Sequence, residues 1–275
     1  MKKIVGITLA VLLLVVGLLA GCGEKKEASD EKLTVIKVGA STTPHAEILG
    51  AIKDDLKAEG YDLQVKEFTD YVLPNLSLND GSLDANYFQH QPYLDDFNKE
   101  RDMDLVAAAK IHYEPLGIYS GRKDSLDKLE EGDSIAIPND ATNEARALLL
   151  LQDLGLLKLK KDAGMLATPY DIVENPKNLK IEELDAAQVA KALPDVAFGV
   201  INGNNALLAG LNASKDAIAM EAKDSLAADT FANVLAVRSG SENSPEIQAL
   251  VKALQSDTAR KFIEDTYEGA VVPVF

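Results

Sequence analysis

The sequence predicts an α/β protein of two units with mainly parallel sheets, and three observations carry that prediction. Short β-branched runs alternate with amphipathic helical runs from Val35 to Lys110, as in βαβ units. A second set of such elements follows Glu114-Pro-Leu-Gly-Ile-Tyr-Ser120, which reads as a segment crossing from one unit into the other. Subtracting a leader leaves 275 − 21 = 254 residues, a length that suits two modest domains.

The chain opens on a basic Met1-Lys-Lys3, followed by an apolar run from Ile4 to Ala20 and then Leu19-Ala-Gly-Cys22. The run is short for a membrane span and has the flanks of a secretory signal. The only cysteine follows the small pair Ala20-Gly21, the arrangement of a bacterial lipobox. Residues 1–21 are therefore expected to be a cleaved signal peptide, with Cys22 lipidated as the mature N-terminus. Residues 22–32 are charged and poor in large apolar side chains, so they read as a flexible, lipid-anchored tether. Losing Lys2 and Lys3 takes the net charge from −16 to −16 − 2 = −18. So acidic a surface is a poor partner for nucleic acid or anionic headgroups, and the lipid itself must hold the protein to the extracytoplasmic face of the cell membrane. With its one cysteine at the anchor, the chain has no intrachain disulfide.

In the first unit, Val35 to Ala40 reads as a strand. Pro44 fits the first position of a helix whose Ile48, Ala51, Ile52 and Leu56 form a buried stripe, with Gly60 as its stop. Leu63 to Phe68 alternates as a second strand, and a short helix is expected near Pro74. Ala85 to Phe88 is a third strand, Gln91 to Lys99 a helix, and Leu105 to Lys110 a fourth strand. In the second unit, Ser134 to Ile137 is a strand ended by Pro138, which cannot donate to a ladder. Ala147, Leu150, Leu151 and Leu154 then recur at helical spacing up to Gly155. A helix near Ala186 to Leu193, a strand Val196 to Ile201 and a short helix from Asn205 to Gly210 follow. Asn233 to Arg238 is a strand that crosses back, trailed by an amphipathic helix with Ile247, Leu250, Val251, Leu254, Phe262 and Ile263.

Three stretches could carry chemistry. Asn139, Asp140, Thr142 and Asn143 are N-cap residue types at the start of a helix whose early turns hold Arg146. Amide N–H groups and the helix dipole favour an anion there, and a guanidinium can grip a carboxylate by two bonds. The alternative is a solvated helix start. Six of the fifteen Phe and Tyr residues fall between Phe68 and Phe97. Tyr87 and Phe88 are consecutive in a strand and must face opposite ways. One of them, with His90 just beyond, can therefore face a ligand at the strand end, though core packing is the commoner role of aromatics and a surface hydrogen bond that of the histidine. Asn202-Gly-Asn-Asn205 can fix a turn or offer amides to a ligand, and Asn233 opens an otherwise apolar strand where a buried amide needs partners.

An enzyme needs a nucleophile with its base, or a metal site. The lone cysteine is at the anchor, and no Gly-x-Ser-x-Gly, His-Glu-x-x-His or phosphate loop occurs. The rival within transport is a zinc- or manganese-binding lipoprotein using His45, His90 and His112 with a carboxylate. Against it, Arg146 would repel a cation.

Leu19-Ala-Gly-Cys22, Phe68-Thr-Asp-Tyr-Val-Leu-Pro-Asn75, Asp84-Ala-Asn-Tyr-Phe-Gln-His-Gln-Pro-Tyr-Leu94, Glu114 to Ser120, Ile137 to Leu148, Val200 to Asn205 and Asn233 to Arg238 occur in this order. Together they resemble the methionine-binding lipoproteins of the NlpA family of ABC-transporter substrate-binding proteins, over nearly the whole chain. The resemblance implies a two-lobed periplasmic-binding-protein fold of type II, with a ligand cleft between two mainly parallel sheets. Lobe 1 would be residues 33–117 plus 236–275, and lobe 2 residues 118–235. It implies a protein that captures methionine, L- and possibly D-, and delivers it to a membrane permease and its ATPase, with no cofactor and no assigned metal ligand. Tyr71 and Phe88 would enclose the thioether, where sulfur and aromatic rings attract. His90 and Asn143 would line the pocket, Arg146 would take the carboxylate, and Asn202 and Asn233 would serve the polar groups. The chain departs from the family pattern at Gly203-Asn204-Asn205 and at Glu144-Ala145, which keeps a methionine-containing dipeptide in view as ligand.

Overall fold

The computed structural model describes residues 33–222 and 226–275, so the expected signal peptide, Cys22 and tether lie outside the described residues. Leu33–Phe275 is a single contact unit. Among the described residues no helix is long and apolar enough to cross a membrane.

The first half follows the alternation of the sequence. β1 (Thr34–Ser41), α1 (Glu47–Ala51), α2 (Lys53–Ala58), β2 (Tyr61–Phe68), α3 (Leu73–Asn79), β3 (Ala85–His90), α4 (Gln91–Arg101) and β4 (Leu105–Tyr113) come in order. β1 lies parallel to both β2 and β3, and its Ile36 and Val38 pack with Ile48, Leu49, Ile52 and Leu56 of the helical segment behind. Each such side chain contributes about 1.5–3 kcal/mol on burial, which fixes the face that each helix turns inward. Three residues after β4, β5 (Gly117–Ser120) already belongs to another sheet, so the crossing falls where the Glu114 to Ser120 segment was read.

The second half holds β6 (Ser134–Pro138), α5 (Ala141–Asp153), β7 (Lys158–Leu159), β8 (Ile172–Glu174), β9 (Lys180–Leu184), α6 (Ala186–Ala192), β10 (Phe198–Ile201), α7 (Gly203–Leu208), α8 (Ala213–Asp216), β11 (Ala217–Met220) and α9 (Leu226–Thr230). Ile135 and Ile137 of β6, Leu148 and Leu151 of α5, and Phe198 and Val200 of β10 form its core. β12 (Asn233–Arg238) then returns to the first sheet, followed by α10 (Pro245–Leu254), α11 (Asp257–Tyr267) and β13 (Val272–Pro273). The single amphipathic helix expected after β12 is thus two, divided where the side chain of Ser256 accepts from Ala259 N and caps α11.

The six-stranded sheet has the order β13-β4-β12-β3-β1-β2 and the five-stranded sheet β11-β5-β10-β6-β9. The expectation of mainly parallel sheets needs correction, because both are mixed. β12 runs antiparallel to β3 and β4, β13 antiparallel to β4, and β5 antiparallel to β10 and β11. The parallel pairs are those made through helical crossovers. The strands that arrive from the other lobe have no such crossover to return them to the same end. β12 lies wholly in the six-stranded sheet, with Val234, Leu235, Ala236 and Val237 fully buried. The return crossing therefore precedes Asn233, and a lobe boundary drawn after residue 235 would cut through this strand.

Candidate ligand-binding site

A cavity opens between the two sheets, lined from the ends of β3 and β10, the start of β12, the residue after β4 and the first turns of α5. Tyr71, Phe88, His90, Asn143, Arg146, Asn202 and Asn233, the seven site residues expected from the sequence, all line it. Gln89, Tyr93, Glu114, Gly203 and Asn204 complete the lining.

The apolar wall is aromatic. Tyr71 and Phe88 ring centroids are 5.9 Å apart, and Tyr93 stands 6.0 Å from Tyr71 and 6.1 Å from Phe88. The strand alternation read from the sequence explains the wall: Phe88 faces it while Tyr87 faces the opposite side, beside His45 and His112. Tyr93 was in the same aromatic stretch but was not singled out. It follows from α4, whose N-cap His90 accepts from Tyr93 N at 3.1 Å.

That bond also fixes the polar end. Since His90 Nδ1 accepts, its Nε2 carries the proton and donates to Asn143 Oδ1 at 3.1 Å. Burial keeps this imidazole neutral, lowering its pKa to about 3. Asn143 gives its Nδ2 to Asp140, 2.8 Å from Oδ1, so its Oδ1 must face the other way and accept. Asn202 therefore turns its Nδ2 to Asn143 Oδ1 at 2.8 Å. The chain of partners leaves Asn202 Oδ1 buried with no partner among the described residues.

The helix start that was read as an anion site holds one of the chain's own carboxylates. Asp140 is the N-cap of α5 and accepts from Asn143 N at 3.1 Å. Arg146 is 4 % exposed and is likewise engaged: Nε donates to Glu221 Oε1 at 2.8 Å, and Nη2 to Glu221 Oε2 at 2.6 Å and to the Glu114 carbonyl at 2.9 Å. Three of its five N–H donors are committed, which leaves at most the Nη1 pair for a ligand. Its guanidinium also lies 4.1 Å from the Phe231 ring centroid. Burial works against the charge of Glu221, but the guanidinium beside it overrides this and holds its pKa below the ordinary carboxylate value. Glu221 stands 75 residues from Arg146, and no local pattern in the sequence pointed to it.

On the other side Glu114, also missed as a site residue, is 5 % exposed. Its Oε1 accepts from His112 Nε2 at 2.7 Å and lies 3.4 Å from His45 Nε2, while the Asn204 amide donates to the same carboxylate. Gly203 permits this approach, since a Cβ there would meet Glu114 Oε2 at 2.6 Å. Asn233, expected to offer its amide to the ligand, spends its Oδ1 on His45 Nε2 at 3.0 Å. Across the mouth, Tyr71 Oη donates to Asn204 Oδ1 at 2.6 Å and accepts from Asn205 Nδ2 at 3.0 Å, joining the two lobes.

A polar cavity with an aromatic wall, set between two sheets joined by crossing strands, defines a two-lobed substrate-binding protein of the kind that serves ABC importers. The chain belongs to the NlpA lipoprotein family, whose sequence profile matches residues 36–275. It is 40 % identical over 257 residues to the D-methionine-binding lipoprotein MetQ of Salmonella typhimurium, covering 92 % of each chain. It is 41 % identical over 271 residues to the methionine-binding lipoprotein MetQ of Bacillus subtilis, covering 96 % of this chain and 97 % of that one. Among solved structures, a nutrient-binding protein of Burkholderia cenocepacia bound to methionine superposes with a TM-score of 0.84 at 46 % identity, covering 87 % of this chain and all 100 % of the other.

Proposed function

We propose that the protein captures methionine outside the cytoplasmic membrane and hands it to the permease and ATPase of an ABC importer. The family and its methionine-binding relatives support the class and the ligand. The observation that carries the reading is Asn202 Oδ1, a buried acceptor in the cavity wall with no donor among the described residues. An unpaired buried acceptor costs about 1–3 kcal/mol, and a ligand ammonium would supply the missing donor. Glu114 adds negative charge on that side, and Arg146 offers its remaining N–H groups to a carboxylate. The pair of ends matches a zwitterion, and Tyr71, Phe88 and Tyr93 would close on the thioether. The role is capture, with no bond made or broken. Lipidation at Cys22 would hold the protein to the extracytoplasmic face.

The test is thermal unfolding of the protein lacking residues 1–21, with L-methionine, D-methionine, Gly-Met and zinc in parallel. A ligand at a hundred times its Kd should stabilise the fold by about 2.7 kcal/mol, or roughly 5–10 °C. No shift with any amino acid or dipeptide would overturn the reading.

A further inference from the structure

Beneath the amino-acid cavity, on the side of β3 away from Phe88, three metal-binding side chains converge. His45 precedes α1, His112 lies near the end of β4, and Glu114 follows that strand. Each offers a ligand atom within 4.8 Å of the other two. All three are buried, at 1 %, 0 % and 5 % exposure. The histidine trio weighed from the sequence is thereby resolved, because His90 turns to Asn143 while the other two meet a carboxylate.

We propose that His45, His112 and Glu114 form a second site that takes one divalent transition-metal ion, zinc by its donor set, next to the amino-acid cavity. Two imidazoles and a carboxylate are the ligands of sites that keep a further position open. Donors bonded to zinc at 2.0–2.1 Å in a tetrahedron lie roughly 3.3 Å apart. His45 Nε2 to Glu114 Oε1, at 3.4 Å, fits that spacing as it stands, and His112 Nε2, at 2.7 Å from the same oxygen, must move outward by about half an ångström. One outer partner is in place, since Tyr87 Oη meets the non-ligating Nδ1 of His112. His45 Nε2 meets Asn233 Oδ1 at 3.0 Å, a contact that the ion would displace. The charge of Arg146, which argued against a cation, is offset by Glu221. Glu114 lines the cavity, which gives the ion a path in.

The test is titration of the EDTA-treated protein with Co(II) as a visible probe and Zn(II) as competitor. One equivalent of Co(II) should produce d–d bands that one equivalent of zinc abolishes, and His45→Gln should weaken Co(II) binding roughly tenfold or more. Should His45→Gln not fold, X-ray absorption of the zinc-loaded protein decides. Two imidazoles in the shell support the site, and a shell without them overturns it. A wild-type protein that takes up no metal at micromolar concentration also overturns it, and the cluster is then a hydrogen-bonded support for Glu114. Methionine affinity of the same metal-free sample is a separate readout, whose loss would count against the proposed function and not against the metal site.

Discussion

Glu221, 10 % exposed at its side chain, occupies the flat edge of the Arg146 guanidinium with two parallel hydrogen bonds of 2.8 and 2.6 Å. A ligand carboxylate bound at Arg146 would therefore meet a guanidinium that is already oriented and partly neutralised. Lysine cannot reproduce the pair, since an ammonium is a point charge and not a fork. Arg146→Lys should lower methionine affinity by about 2–5 kcal/mol, roughly thirty- to several thousand-fold. It should also lower Tm, because Glu221 loses part of its compensation. Calorimetry with unfolding scans checks both, and wild-type affinity in the variant would place the ligand carboxylate elsewhere.

Tyr71 reaches across the cavity mouth to Asn204 and Asn205. Tyr71→Phe keeps the ring and removes both bonds. At about 0.5–1.5 kcal/mol per bond, affinity should fall roughly 5- to 150-fold if the clasp forms on closure. Tm without ligand should change little if the free protein is open. Equal loss of Tm with and without methionine would mean that the clasp persists in the free protein.

Glu144 carries the pH prediction. Burial, then the charges of Glu183 and Asp140, raise its pKa from 4.5 to about 7, and its Oε1 has no partner among the described residues. From pH 4.5 to 7 the folded state keeps a proton that the unfolded chain has lost, so this group's contribution to stability falls as pH rises through that window and is level above it. Glu144→Gln should therefore match wild type below pH 4.5 and gain in Tm up to pH 7, by about 2–4 °C for each kcal/mol. A gain that is constant with pH would contradict the assignment.

For the anchor, cells fed a labelled fatty acid should yield labelled protein, and Cys22→Ser should carry no label. Label retained in the serine variant would show that another residue is modified.

The wall of the site was legible because strand period is a local property: consecutive Tyr87 and Phe88 had to part. At α5 the residue types located the helix start and included its cap, Asp140, but nothing local said that Glu221 would travel to Arg146. That outcome depends on which distant carboxylate the fold delivers. The edge strand β9, Lys-Ile-Glu-Glu-Leu, went unread because its side chains are mostly exposed and it lacks an apolar period. The mixed pairing was hidden for a related reason, as alternation reveals crossovers but not where a returning strand inserts.

The position of β12 between β3 and β4 sets an order of assembly. A nascent chain emerges amino end first, so β3 and β4 exist long before the strand that belongs between them. The lobe begun first is completed last, after all of the second lobe has been made. Until Asn233 to Arg238 arrives, β3 and β4 each keep an open edge, which exposes them to wrong partners during folding. Chains stalled ahead of Asn233 should accordingly be cut by protease within residues 85–113 while residues 134–201 resist. Protection of both stretches would show that the first lobe can close without its last strand.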